Sequence, residues 1–154
     1  MQPKVCTIIV NYNGTQDTIA CLDSLSKITY TNHTAIVVDN ASKETAQLKE
    51  HAEDNGFHFL ELKENGGFAA RNNAGIRYAL ERIEKVDYFL LLNNDTEVDP
   101  HFLEPLVEEC ERDEKVGACG SHINYYTKRN ETWFGGGDIK WLTGRVLHKT
   151  PARE

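Results

Sequence analysis

The chain has 154 residues, 40% of them hydrophobic and 27% charged, an ordinary composition for one globular domain able to bury a core. Lys and Arg number 17 against 24 Asp and Glu, a formal charge of -7. That balance excludes a broad nucleic-acid footprint, because no basic excess exists to neutralise phosphates, but it leaves room for a pocket holding one diphosphate.

Val5–Val10 is a continuous β-branched run, the mark of a strand buried on both faces. A helix is expected over Thr15–Lys27, with Ile19, Leu22 and Leu25 at helical spacing. Ala35–Val38 reads as a second buried strand, ending at Asp39-Asn40. Ser42–Asn55 reads as a helix with Ser42 as its N-cap and Gly56 as its stop. Phe57–Leu62 is a third strand. Gly66-Gly67 opens a longer helix whose inner stripe is expected to be Ala69, Asn73, Ile76, Leu80 and Ile83. Val86–Leu92 is the fourth and most apolar strand. Asp99-Pro100 starts a helix as N-cap and first helical residue. Val116–Ile123 reads as strand five. From Tyr125 the chain turns aromatic and Gly-rich, with two strands around Trp133-Phe134 and Arg145–His148.

This alternation predicts an α/β fold, a mostly parallel sheet flanked by helices. The four cysteines lack CxxC spacing and a Cys/His cluster, so a zinc site is not expected, and all four read as buried free thiols. No stretch reaches the roughly 18 apolar residues of a membrane helix. The first residues lack the apolar core and cleavage site of a signal peptide. N-x-S/T sequons occur at Asn13, Asn32, Asn40, Asn94 and Asn130, several inside the candidate site, which suits a cytoplasmic chain. Association with the cytoplasmic face of a membrane stays open.

In open α/β sheets, ligands bind beyond the carboxyl ends of the strands. Those ends here carry Asn11-Tyr12-Asn13-Gly14, Asp39-Asn40-Ala41-Ser42, Asn65-Gly66-Gly67-Phe68 and Asn93-Asn94-Asp95-Thr96. Each cluster alone is what turns and caps use, yet four on one rim point to a ligand. Amides and a carboxylate suit a planar base or ribose hydroxyls. Gly66 and Gly67 let backbone N–H groups approach an anion at a helix start. Arg71 could pair with a phosphate. Asp95 suits a Mg²⁺ or Mn²⁺ already held by phosphates. The first turn is not G-x-G-x-x-G, and neither a Walker loop nor G-x-S-x-G is present, which excludes the dehydrogenase, P-loop and hydrolase readings.

Val10–Gly14, Val37–Ser42, Asn65–Gly75 and Leu91–Thr96 come in the order and rough spacing of glycosyltransferase family 2, and the chain resembles its rhamnosyltransferase-like branch. The resemblance implies a Rossmann-like GT-A-type fold, inverting transfer from a nucleotide-diphospho-sugar and a divalent metal, Mg²⁺ or Mn²⁺. It implies that Asn11 and Tyr12 contact the base, Asp39 reads a pyrimidine ring N–H, and Arg71 lies near the diphosphate, where the glycine pair already places Gly67. Asn94 would contact the ribose and Asp95 the metal, with Asn93 standing where the family's D-x-D motif has its first Asp. The implied donor is a UDP- or dTDP-sugar and the acceptor an unidentified hydroxyl in glycan or polysaccharide synthesis. On this reading residues 1–124 form the donor-binding core and 125–154 begin an incomplete acceptor half. The general base, needed to take the acceptor's proton, is then expected beyond Glu154. A cut sheet would expose apolar surface, so a homodimer through 125–150 is a further expectation. The competing reading is a non-catalytic module that binds nucleotide or a partner chain on the same fold.

Overall fold

The computed structural model describes residues 2–148. The chain divides into two compact units, Met1–His101 and Phe102–Glu154. The first holds β1 (Val5–Asn11), α1 (Thr15–Leu25), β2 (His33–Asn40), α2 (Ala46–Asp54), β3 (His58–Leu62), α3 (Gly67–Arg82) and β4 (Tyr88–Asn93). The second holds α4 (Leu103–Arg112) and four short strands, β5 (Ile123–Tyr125), β6 (Lys128–Phe134), β7 (Gly137–Lys140) and β8 (Arg145–His148).

The first unit is a parallel sheet of order β3-β2-β1-β4 with helices on its faces, as the α/β alternation predicts. The central strands β1 and β2 are β-branched on both faces, and Val5, Ile8, Ile9, Ile36, Val37 and Val38 are all buried. Each such side chain contributes about 1.5–3 kcal/mol of burial free energy. Cys6, Ile8, Ile36 and Val38 form one layer with Ala79 of α3. Strand alternation turns Thr7, Ile9 and Asn11 to the other face, where Thr18 of α1 meets Asn11.

Two expectations shift within this unit. The inner stripe of α3 is Asn72, Gly75 and Ala79, with Ile76 and Ile83 half-buried, while Leu80 is 65% exposed. Gly75 is the cause. A Cβ there would lie 2.7 Å from Ile8 Cγ2 and 2.9 Å from Val38 Cγ2, so the helix backbone rests on the sheet and sets the rotation. The fourth strand, the most apolar run of the sequence, is an outer strand of the order and not a central one, and its Leu91 is 50% exposed.

Helix starts shift too. α2 begins at Ala46, and Ser42 is not its cap, because the Asp39 carboxylate takes the Ser42 N–H and hydroxyl. α4 begins at Leu103, since Asp99 Oδ1 instead accepts the His101 N–H of a preceding turn.

In the second unit, residues 116–122 form no strand. Ile123–Tyr125 is β5, and it pairs antiparallel with β6 rather than joining the parallel sheet. β7 and β8 make a second antiparallel hairpin. Most side chains of these hairpins are exposed, including Trp133, Ile139 and Trp141. Cys6 and Cys21 are buried thiols as expected, but Cys110 is half-buried and Cys119 exposed. Residues 149–154 of the expected acceptor segment lie outside the described residues.

Candidate functional site

Strand register places the polar strand ends at one level. Asn11 sits opposite Asp39, Val10 opposite Asn93, and Asn40 opposite Leu62. Strand order proceeds outward from β1 through β2 to β3, then returns to the other side of β1 for β4. The reversal therefore lies between β1 and β4, where an open α/β sheet forms its binding crevice. The loops flanking it are Tyr12–Gly14 and Asn94–Thr96.

Beneath these loops lies a buried polar knot. Asn11 is wholly buried, and its amide Nδ2 donates to Asp39 Oδ1 at 2.8 Å and to Ser42 Oγ at 3.1 Å. Its Oδ1 accepts the Gly14 N–H at 3.1 Å. Thr18 Oγ1 shares its one proton between Asn11 Oδ1 at 3.0 Å and the Gly14 carbonyl at 2.8 Å, and accepts from Asn94 Nδ2 at 3.0 Å. Asp39 is also wholly buried. It accepts the Ser42 N–H at 2.8 Å and hydroxyl at 2.6 Å, and Ser42 Oγ in turn accepts the Asn13 N–H at 2.9 Å. Every member is satisfied, so the loops after β1, β2 and β4 are tied into one body. The ties hold Asn13 and Ala41 in the left-handed region, at φ 55° and 63°.

A second knot organises the start of α3. Asn40 Oδ1 accepts the Gly66 N–H at 3.0 Å and Arg71 Nε at 2.7 Å, while Asn40 Nδ2 donates to Asn65 Oδ1 at 3.0 Å. Asn65 Oδ1 also accepts the Gly67 N–H at 3.0 Å. Arg71 donates its terminal nitrogen to the Glu64 carbonyl. Its guanidinium covers Gly66 so closely that a Cβ there would lie 2.6 Å from Cζ. The Gly66 and Gly67 N–H groups, expected to face an anion, thus donate to the Asn40 and Asn65 side chains.

The candidate residues sort by exposure. Asn11 and Asp39 lie within the first knot, Asn94 is joined to it through Thr18, and Gly67 and Arg71 belong to the second. Tyr12 is 53% exposed, Phe68 is 59% exposed, and Asp95 is exposed on the loop after β4. Asn40, Ser42 and Asn65 lie in the strand-end clusters without an individual role assigned from sequence, and Thr18 lies outside those clusters. Thr18 carried one signal, a hydroxyl in the first turn of a helix that follows a polar strand end. Below the β4 loop, Cys21 Sγ faces the Asn93 carbonyl at 3.7 Å, and burial pushes its thiol up to about 11.

Among the described residues, no three or more His, Cys, Asp or Glu side chains come together. Asp95 therefore belongs to no self-sufficient protein metal centre among the described residues. No described helix is long and apolar enough to cross a membrane.

The fold and its rim define a GT-A-type α/β unit. The sequence model of glycosyl transferase family 2 matches residues 6–150, and the chain belongs to that family. It is 29% identical over 99 residues to the low-salt glycan biosynthesis hexosyltransferase of Haloferax volcanii, covering 64% of this chain and 30% of that protein. It is 31% identical over 113 residues to the poly-beta-1,6-N-acetyl-D-glucosamine synthase of Staphylococcus aureus, covering 72% of this chain and 26% of that protein. The chain thus spans under a third of the length of either relative. The mannosyltransferase of Pyrobaculum calidifontis, solved with GDP-Man and Mn²⁺, shares the fold at a TM-score of 0.68 and 22% identity, over 81% of this chain and 36% of that one.

Proposed function

We propose that this chain is the donor-binding half of an inverting glycosyltransferase of the rhamnosyltransferase-like branch, and that its crevice takes a nucleotide-diphospho-sugar. The observation that carries the reading is the sheet reversal between β1 and β4, flanked by loops that present exposed Tyr12 and Asp95 over a fully satisfied polar knot. In this reading Tyr12 packs against the base. Asn11 and Asp39 fix the loop that carries Tyr12, and Asn94 fixes the turn that carries Asp95. Arg71 keeps its bond to Asn40 and exchanges the Glu64 carbonyl for a phosphate oxygen when the diphosphate arrives, with the Gly67 turn beside it. Asp95 would hold a divalent ion, and that ion, when bound, supplies charge neutralisation for the leaving diphosphate. The relatives' names support transfer of a hexose or N-acetylhexosamine into a glycan, and the mannosyltransferase complex supports a nucleotide-sugar donor with Mn²⁺.

The test is calorimetry with UDP, dTDP and GDP, each with and without Mn²⁺. The expected result is binding in the micromolar-to-millimolar range for one of them, tightened by the metal. Asp95→Ala should remove the metal effect and leave metal-free binding in place. Thr18→Val should weaken binding about ten-fold, by freeing Asn94 from α1, with far-UV circular dichroism unchanged. A folded chain that binds no nucleoside diphosphate overturns the reading.

A further inference from the structure

Cys110 and Cys119 are the two thiols that the buried core does not take up. Cys110 lies in the last turns of α4. The chain then reverses through a turn at Asp113–Val116, closed by the Val116 N–H on the Asp113 carbonyl at 2.9 Å and by the Lys115 N–H on Asp113 Oδ1 at 2.9 Å. The reversal returns Cys119 to the helix. Its Sγ lies 3.4 Å from the carbonyl of Leu106, one turn before Cys110, and 3.1 Å from Cys110 Sγ. A covalent S–S bond of about 2.05 Å needs the sulfurs to close by only about 1 Å.

We propose that Cys110 and Cys119 are a redox-active dithiol that closes to an internal disulfide by exchange with a neutral or cationic low-molecular-weight disulfide. The more exposed Cys119 reacts first. Its thiolate attacks one sulfur of the small disulfide, the S–S bond breaks, and one small thiolate leaves and takes a proton from water. Cys110 then loses its proton to water, and its thiolate attacks Cys119 Sγ and expels the second small thiol. Two protein thiols are oxidised and one small disulfide is reduced to two thiols, so atoms and electrons balance.

The choice of oxidant follows from local charge. Glu104, Glu108, Glu109, Glu111, Asp113 and Glu114 surround the pair in sequence, against Arg112 and Lys115. An anionic disulfide is repelled there and a cationic one attracted. Partial desolvation of its sulfur against α4, the Cys110 thiol and the charge of Glu109 push the Cys119 thiol up to about 11, although the residue as a whole is exposed. Exchange is therefore slow at neutral pH and should rise about ten-fold per pH unit between pH 7 and 9.

The reduced protein is incubated with cystamine or with oxidised glutathione, quenched with acid, and examined by intact mass and peptide mapping. The expected product has lost two hydrogens and carries a cross-link between the Cys110 and Cys119 peptides, with two of the four cysteines still free. Cystamine should act at least ten-fold faster than oxidised glutathione at low salt, and the gap should shrink at high salt. Cys110→Ser should stop at a mixed disulfide on Cys119, and Cys6→Ser with Cys21→Ser should leave the cross-link intact. A wild-type chain that stays fully reduced while the urea-unfolded chain reacts overturns the proposal. So does one that collects mixed disulfides without forming the internal bond, or one that cross-links between molecules.

Discussion

The two units place similar residue types in opposite circumstances. In Met1–His101, the aliphatic residues of β1 and β2 are sealed between helices, and even the polar ends of these two strands, Asn11, Asp39 and Asn40, are buried with their partners. In Phe102–Glu154, aromatic and aliphatic strand residues stand in solvent, with Trp133 at 54%, Ile139 at 51% and Val146 at 59% exposure. Strand propensity alone therefore does not determine burial. A parallel sheet with crossover helices covers its own faces, whereas a two-stranded hairpin has no second layer to offer. Substitutions should hit hard in the first unit and lightly in the second.

The largest effect is expected from Asp39→Ala. It strands the Asn11 amide and the Ser42 N–H inside the protein, at about 1–3 kcal/mol for each unsatisfied group, so urea unfolding should show a loss of about 3 kcal/mol or more. A loss below about 1 kcal/mol would mean that water replaces the carboxylate and that the knot is not a stability element.

Next comes pH. His33 is packed at the start of β2, with Nε2 2.9 Å from Thr7 Oγ1 and its ring edge-on to Phe57. Burial lowers its pKa from 6.5 to about 4, so the unfolded chain binds the proton first. The contribution of neutral His33 is whole above pH 6.5 and is lost as pH falls towards 4. At 1.36 kcal/mol per pKa unit the loss approaches roughly 3 kcal/mol. Urea midpoints of wild type and His33→Gln across that range should converge in acid. Parallel curves would remove His33 as the cause.

Gly75→Ala should cost about 1–2 kcal/mol. Overpacking against Ile8 and Val38 outweighs the better helix propensity of Ala. A stabilised variant would show that α3 can lift off the sheet freely. At the small end, Leu142→Ser in the second unit should move the midpoint by less than about 0.5 kcal/mol. A larger loss would show that this hairpin residue is covered in solution.

How far the sequence could be read follows the same division. The central strands β1 and β2 were legible because fully buried strands of a parallel sheet must be apolar throughout, and the edge strand β3 because Phe59, Leu60 and Leu62 follow the Gly56 that ends a helix. The family motifs then placed the strand ends on one rim. Strand five was misread, since Val116–Ile123 has a strand's composition but no parallel neighbour to pair with, and its end folds into a hairpin instead. The rotation of α3 was hidden because hydrophobic periodicity favours Leu80, whereas the helix is seated by a residue with no side chain, Gly75. Within the site, Tyr12 and Asp95 were found as polar residues after strands, and both reach solvent. The roles of Thr18, Asn40, Ser42 and Asn65 were out of reach, because a hydrogen-bond partner distant in the chain leaves no local pattern.

The strand order also has a consequence in time. β1 meets β2 across 28 residues at Asn11 and Asp39, but meets the start of β4 across 83 at Lys4 and Asp87. The longer closure costs only about 1 kcal/mol more in chain entropy. It still requires the whole intervening chain to be present and loosely collapsed. A growing or refolding chain can thus set β1 against β2 and β3, and only later receive β4 on the free edge of β1. Pulse-labelled amides of β2 should gain protection before those of β4. On that order the crevice between β1 and β4 is the last part of the first unit to form, so ligand occupancy would report on the completeness of folding.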